Sequence, residues 1–263
     1  MNKIIIMGTG AAPGVPSVSR GWGACNPNNP KNRRKRIGTY IELSGKSFLI
    51  DTSPDLRTQL LDAGIRRLDA VFYTHAHADH LHGIDDLREI NRISGTSLDI
   101  YGSENTIAAI KTRFAYLIGE SISSGNGIFK ASLNAHIIKE EPLYIGDLKV
   151  SLLKLEGHTV ASNGYVFNDG EVVYVADCAQ ISQEGLDLIK IKPKILVLPL
   201  TVIKSQYPKK YHMELDKLLE YVNLIKPERT IINHMAAECD YDRVNLLTPD
   251  DVFPAYDGMV VEF

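Results

Sequence analysis

Apolar positions along the chain follow two periods. Short apolar runs bounded by turn residues read as strands at 3–7, 39–43, 47–50, 70–73, 148–155, 164–168, 172–176, 194–198 and 259–263. Ser44-Gly45 joins the second and third runs as a hairpin. Between the strands, apolar residues recur at helical spacing. Leu56, Leu60 and Ala63 form one such stripe, and Ile84, Leu87, Ile90 and Ile93 form another. Ile107, Ile110, Phe114 and Leu117 form a third, and Leu215, Leu218, Leu219, Val222 and Ile225 a fourth. A further helix is expected near 183–190. Ser53-Pro54 is a helix start, with a capping serine and a proline in the first turn. Residues 11–36 are rich in Gly, Pro and Asn and read as a long ordered loop, a length that marks function. Strands and helices mixed in this way predict helices packed outside paired sheets. No linker or repeat interrupts the pattern, so residues 1–263 read as one domain.

Chemistry concentrates after the run 70–73. Thr74-His75-Ala76-His77-Ala78-Asp79-His80-Leu81-His82-Gly83 has the form H-x-H-x-D-H-x-x-G. Imidazole and carboxylate together suit zinc, iron, nickel or manganese. His75 and His77 are two apart, so in extended chain they point the same way. One loop cannot complete a site. Three further candidates each follow a strand-like run: His158, Asp177 and His234.

Composition narrows the functional classes. At 263 residues and 44% hydrophobic, the chain can bury a large core. A net charge of −3 argues against a general nucleic-acid binder. The one basic run is Lys31, Arg33, Arg34, Lys35 and Arg36, from which Arg33 and Arg34 are candidates for binding an anion. Cys25, Cys178 and Cys239 lie far apart, which indicates neither a disulfide framework nor a cysteine zinc site. The N-terminal apolar stretch is too short for a signal-peptide core, and no run reaches transmembrane length. A cytoplasmic protein without membrane attachment is the expectation.

The ordered set His75, His77, Asp79, His80, His158, Asp177 and His234, with Asp51 closing an early strand, resembles the metallo-β-lactamase superfamily across nearly the whole chain. The resemblance implies an α+β fold, a four-layer αββα sandwich with two divalent metal ions, zinc or manganese, at one sheet edge. It implies that His75, His77 and His158 hold one ion, that Asp79, His80 and His234 hold the second, and that Asp177 bridges. Asp51 would orient the ligand loop from behind. Within the superfamily the chain looks most like the phosphodiesterase of phosphonate breakdown, which opens a phosphoribosyl cyclic phosphate. Gly8-Thr9-Gly10, Gly14-Val15-Pro16, Arg33-Arg34, His212 before Glu214-Leu215, and Tyr256-Asp257-Gly258-Met259 carry that match. That enzyme has a structural zinc held by three early cysteines and a late histidine. Here the early loop has only Cys25 and Ala237 stands at the late position, so no structural zinc is expected.

The resemblance implies a metal-dependent hydrolase acting on a cyclic or small phosphodiester. Its catalytic residues would be Asp79 and His212, with His212 as general acid and Arg33 and Arg34 on the substrate. His82 matches no ligand position, and His136 and Cys178 read as structural. Other readings stay open: a tRNA 3′-processing ribonuclease, a thioesterase or lactonase, and a non-catalytic carrier in cofactor biosynthesis. Against the ribonuclease, no long Gly-Pro-rich arm for gripping tRNA is present. The partner expected is a small molecule, with a second copy of the chain meeting the 119–130 region.

Overall fold

A computed structural model describes residues 2–119, 130–205 and 211–263. Strands β1 (Lys3–Gly8), β2 (Gly38–Leu43), β3 (Lys46–Ile50), β4 (Ala70–Tyr73), β5 (Leu98–Gly102) and β6 (Leu133–Ile137) belong to the first sheet. The second holds β7 (Leu143–Ile145), β8 (Leu148–Glu156), β9 (Asn163–Phe167), β10 (Val172–Tyr174), β11 (Gln180–Ile181), β12 (Ile195–Pro199), β13 (Arg229–Asn233) and β14 (Val252–Pro254). The last strand, β15 (Met259–Glu262), returns to the first sheet, whose order is β15-β1-β2-β3-β4-β5-β6. The second runs β11-β8-β9-β10-β12-β13-β14, with β7 also along β8. Both sheets are mixed: β3 to β6 are parallel, as are β10, β12, β13 and β14.

Strand alternation builds the layers. Ile4 and Ile6 enter one core cluster with Phe48, Phe72, Tyr165 and Phe167, while Ile5 and Met7 enter another with Leu49, Val71 and Ile100. The first cluster fills the space between the sheets, where Phe48 and Phe167 rings stand 5.0 Å apart and Phe72 and Tyr165 5.3 Å. The second lies beneath helices α1 (Leu56–Ala63), α2 (Ala78–Leu81), α3 (Arg88–Ser94) and α4 (Glu104–Arg113). On the far side, α5 (Gln183–Leu186) precedes β12, and α6 (Leu215–Ile225) buries Leu215, Leu218 and Val222 at the predicted spacing. Helix α7 (Tyr241–Leu247) packs near β14. The expected αββα sandwich is the fold that forms.

Four elements depart from the sequence expectation, one of them the stripe 107–117, which splits at Phe114 into α4 and a 3-10 turn at Ala115–Leu117. Helix α1 starts at Leu56, not at Ser53-Pro54, because the Ser53 hydroxyl turns to Gln59 and Asp55 is drawn to Arg36. The stripe 84–93 breaks into a 3-10 turn and α3, which shifts its phase and leaves Ile93 42% exposed. The helix expected at 183–190 ends at Leu186, because the N–H groups of Lys190 and Ile191 are taken by the Asp169 carbonyl. Residues 120–129, with most of the region expected to meet a second copy, lie outside the described residues. Among the described residues, no helix is long and apolar enough to cross a membrane.

The topology has one consequence for function. Asp51, the histidine loop, His158, Asp177 and His234 all follow the C-terminal ends of strands, namely β3, β4, β8, β10 and β13. These ends come together on one rim of the sandwich, so residues far apart in sequence converge.

Candidate metal centre

The histidine loop is built by close approach. Gly83 closes it because a Cβ there would lie 2.0 Å from the Ser53 carbonyl oxygen. The loop carbonyls face inward to long-range donors: the Tyr165 hydroxyl donates to Tyr73 O at 2.6 Å and the Asn163 N–H to Thr74 O at 3.2 Å. Asp51 and His234 both hold left-handed backbone, with φ of 63° and 55°. Such strain costs of order 1 kcal/mol per residue and is tolerated where the surroundings over-determine it.

Two sets of ligand-type atoms converge on the rim. In the first, His75 Nε2 and His158 Nε2 each stand 3.1 Å from His77 Nδ1. In the second, His80 Nε2 and His234 Nε2 each stand 3.4 Å from Asp79 Oδ2. Asp177 lies between them: its Oδ2 is 3.1 Å from His234 Nε2 and 3.7 Å from His80 Nε2, and it also groups with His75 and with His158.

The outer nitrogens are occupied, which turns the inner ones toward one another and toward Asp79 and Asp177. Thr74 Oγ1 lies 3.0 Å from His75 Nδ1, Asp51 Oδ2 2.7 Å from His80 Nδ1, and Thr201 Oγ1 3.1 Å from His234 Nδ1. Tyr211 O lies 3.2 Å from His158 Nδ1 and Thr159 Oγ1 3.3 Å from His77 Nε2. A partner on the outer nitrogen that orients the inner one is the usual arrangement around a metal-binding histidine. Asp51 is itself locked, accepting from the Thr74 N–H and hydroxyl at 2.8 Å each.

Electrostatics fit a cation. His80 Nε2 and Asp177 Oδ1 are buried without a hydrogen-bond partner, an unsatisfied donor-acceptor set that costs free energy unless something fills it. Burial works to raise Asp79 and Asp177, but His234 and His80 hold both well below the usual carboxylate range. Burial also works to lower His80, yet Asp51, Asp177 and Asp79 hold its imidazole well above the ordinary value. Burial drives His75 the other way, well below. The second set thus keeps a proton among three carboxylates, in the place where a cation would sit. The donors are nitrogen and oxygen only, since Cys178, though next to Asp177, is buried and its thiol is pushed up by burial. The residues therefore fit divalent ions.

A cavity of about 800 Å³ opens above these groups, walled by the early loop at Ala11–Gly14, by Arg20 and Glu238, and by Lys204 and His212. His212 packs its ring 5.3 Å from His158 and 6.2 Å from His234. Burial lowers it to about 4, against the charge of Asp177.

Arg33 and Arg34 correct the sequence expectation. Neither lines the cavity. Arg33 is exposed and lies over the Trp22 ring at 5.1 Å. Arg34 is 3% exposed and donates to Cys239 O at 2.7 Å and Ala236 O at 3.2 Å. Its charge therefore fastens the early loop to the segment after His234 and cannot meet a substrate. Cys25 and Ala237 meet in the same place, with Cys25 Sγ 3.4 Å from Ala237 O. Among the described residues, the lysine and arginine side chains at the cavity are Arg20, paired with Glu238, and Lys204. No sequence pattern singled them out, because each owes its position to loop paths. His82 packs on Phe114, and His136 on Tyr101 and Asp99, both outside the cluster. A second cavity of about 630 Å³, lined by Lys3, Tyr40 and Arg66, contains none of the clustered residues.

A family model described as a beta-lactamase superfamily domain matches residues 46–235. The octanoyltransferase of Porphyromonas gingivalis is 27% identical over 259 residues, which is 98% of this chain and 51% of that protein. A ribonuclease Z of Bradyrhizobium sp. is 33% identical over 124 residues, 46% of this chain and 36% of that protein. The chain thus spans about half the length of the first of these relatives, and the second aligns over a shorter part. Among solved structures, a diphosphatase from the PhnP family superposes with a TM-score of 0.86 at 28% identity, covering 100% of this chain and 98% of that one. Zinc-bound PqqB from Methylobacterium extorquens, at 16% identity and a TM-score of 0.78, shares the fold.

Proposed function

The chain belongs to the beta-lactamase superfamily, and on that premise we propose that it is a metal-dependent hydrolase of small phosphodiesters, cyclic or linear. The observation that carries the reading is the pair of converging donor sets, with Asp177 between them, on the floor of a cavity far larger than one phosphate group. The likeness to a PhnP-family diphosphatase over both full lengths supports phosphorus over carbon as the reacting centre. His75, His77 and His158 would hold one ion, Asp79, His80 and His234 a second, and Asp177 both. A donor set of nitrogen and oxygen admits zinc or manganese. Bound divalent ions supply a nucleophile from water near neutral pH and offset charge on phosphoryl oxygens.

The chain's own residues do the rest. Asp51 and Thr201 bond the outer nitrogens of His80 and His234 and so aim the inner ones. The walls at Ala11–Gly14 and His212 exclude bulk water from the reacting group. His212 donates the proton to the leaving oxygen. With its value lowered to about 4, the imidazole is neutral in the free site at pH 7. An anionic substrate beside it favours the charged form and raises that value.

The test compares two diesters on metal-loaded protein. His212→Ala is expected to lose about 10²-fold or more in kcat on an alkyl diester, whose leaving group needs a proton. It should lose little on a nitrophenyl diester, whose leaving group does not. Wild-type activity on the alkyl diester should fall as pH rises through the His212 value in the complex. Equal losses on both substrates would remove His212 as the acid. No turnover of any diester, with ions bound, would remove the phosphodiesterase reading.

The ribonuclease Z likeness favours a second reading, cleavage of a tRNA 3′ trailer, over the matched 124 residues. A precursor tRNA cleaved faster than small diesters would select it.

A further inference from the structure

The first donor set has one unlike member. His75 and His158 present Nε2, but His77 presents Nδ1 to the same point. Nδ1 is bonded to the ring carbon that carries the side chain, so it stays close to the main chain. Its position therefore follows the backbone at residue 77 more tightly than an Nε2 would. His77 is also only partly buried, whereas His75 is fully enclosed. Packing alone does not hold it.

The backbone just before His77 has a specific tether. Arg113 Nη1 donates to Ala76 O at 2.5 Å. The donor is the last residue of α4, a helix anchored by buried Ile107 and Ile110 and capped by the Ser103 hydroxyl. A side chain launched from that helix carries its rigidity to the loop. Tyr73 O and Thr74 O are held by residues of β9, deep in the fold. Arg113, by contrast, is exposed, so removing its guanidinium opens no core cavity.

We infer that Arg113 is a positioning residue, which fixes the Ala76–His77 backbone so that His77 Nδ1 meets His75 Nε2 and His158 Nε2. The inference rests on reading that trio as a metal site. The Asp79, His80 and His234 set shares part of that backbone, since the His80 N–H reaches His77 O at 3.2 Å, but it has further ties to Asp51 and Thr201 that do not pass through Arg113.

The experiment is a calorimetric titration of zinc chloride into metal-stripped full-length protein, for wild type, R113A, R113K and H77A. Wild type is expected to bind in two steps. H77A identifies the step that belongs to the first set. R113A should weaken that same step about tenfold, the low end for residues that orient a ligand, weaken the other step distinctly less, and leave the apo melting temperature unchanged. R113K keeps the positive charge at the helix C-terminus and should recover part of the loss. An unaltered first step in R113A overturns the inference, as does a parallel loss in both steps or in apo stability, which marks a merely structural role. Wild type that binds no zinc overturns the metal-site reading itself, and this inference with it.

Discussion

The floor and the wall of the cavity are held by opposite means. On the floor, His75, Asp79, His80, Asp177 and His234 are each under 10% exposed, and the outer nitrogens of His75, His80 and His234 are tied by Thr74, Asp51 and Thr201. The floor is charged, buried and dense in hydrogen bonds. The wall is a loop, residues 11–36, that makes almost no strand. It is pinned along its length to later parts of the chain, by Arg34 to Cys239 O, Asn32 to Asp240, the Ala24 N–H to Ala237 O, the Asp257 carboxylate accepting from the Thr9 and Lys35 N–H groups, and Arg36 to Asp55. The floor positions atoms to within a bond; the wall needs only to stay closed. The two regions should therefore fail differently, the floor through ligand binding and the wall through stability alone.

Asp51→Asn is the largest test of that difference. Asp51 Oδ1 accepts from the Thr74 N–H, and Oδ2 from the Thr74 hydroxyl and toward His80 Nδ1. An amide in either orientation sets an N–H₂ against a group that needs an acceptor. One orientation forces the His80 proton onto Nε2, the atom that faces Asp79 and Asp177. Metal affinity at the second set is expected to fall about 10–100-fold, together with about 1–3 kcal/mol of apo stability, because the mismatch is buried. A titration that shows equal affinity would mean the floor is not organised through Asp51.

Arg34→Met should show a loss of stability alone. It leaves Cys239 O and Ala236 O without their buried donor and costs about 2 kcal/mol of stability, the price of unsatisfied buried groups. Denaturant unfolding of the apo protein measures it, and zinc affinity should stay within about twofold of wild type. Loss of affinity with stability intact would place Arg34 in the site after all.

The smallest effect is in pH. Burial works to raise the Asp55 carboxyl, but the Arg36 side chain, backbone N–H and charge hold it below the ordinary value. A depressed carboxylate adds stability that is present above its unfolded value and is lost as pH falls through the folded one. The pair is partly exposed, so its contribution is under about 1 kcal/mol. Asp55→Asn should therefore narrow the stability gap with wild type as pH falls below about 4. A gap that stays constant there would remove the ion pair from the account of the wall.

Much of the floor was legible in the chain. His75 through His80 stand in one short segment, and the strand before it, buried at all four positions, is plain from its apolar run. His158, Asp177 and His234 are each recognisable as polar residues at a strand end. The wall was not legible. Arg33 and Arg34 stand side by side in a basic run, yet one faces solvent and the other is buried among carbonyls more than 200 residues away. Adjacent residues in a loop carry no period that would tell them apart. Arg20, Lys204 and Arg113 escaped notice for the same reason.

By itself, the sequence determined the layered sandwich, the strand that carries the histidines and the identity of the clustered side chains, because periodicity and residue chemistry are local properties. Only the tertiary structure decided which nitrogen each histidine presents, which arginine is a fastener, and that Arg113 reaches Ala76. Those depend on where separate strand ends and loops meet in space, and a distance across hundreds of residues leaves no trace in the order of neighbours along the chain.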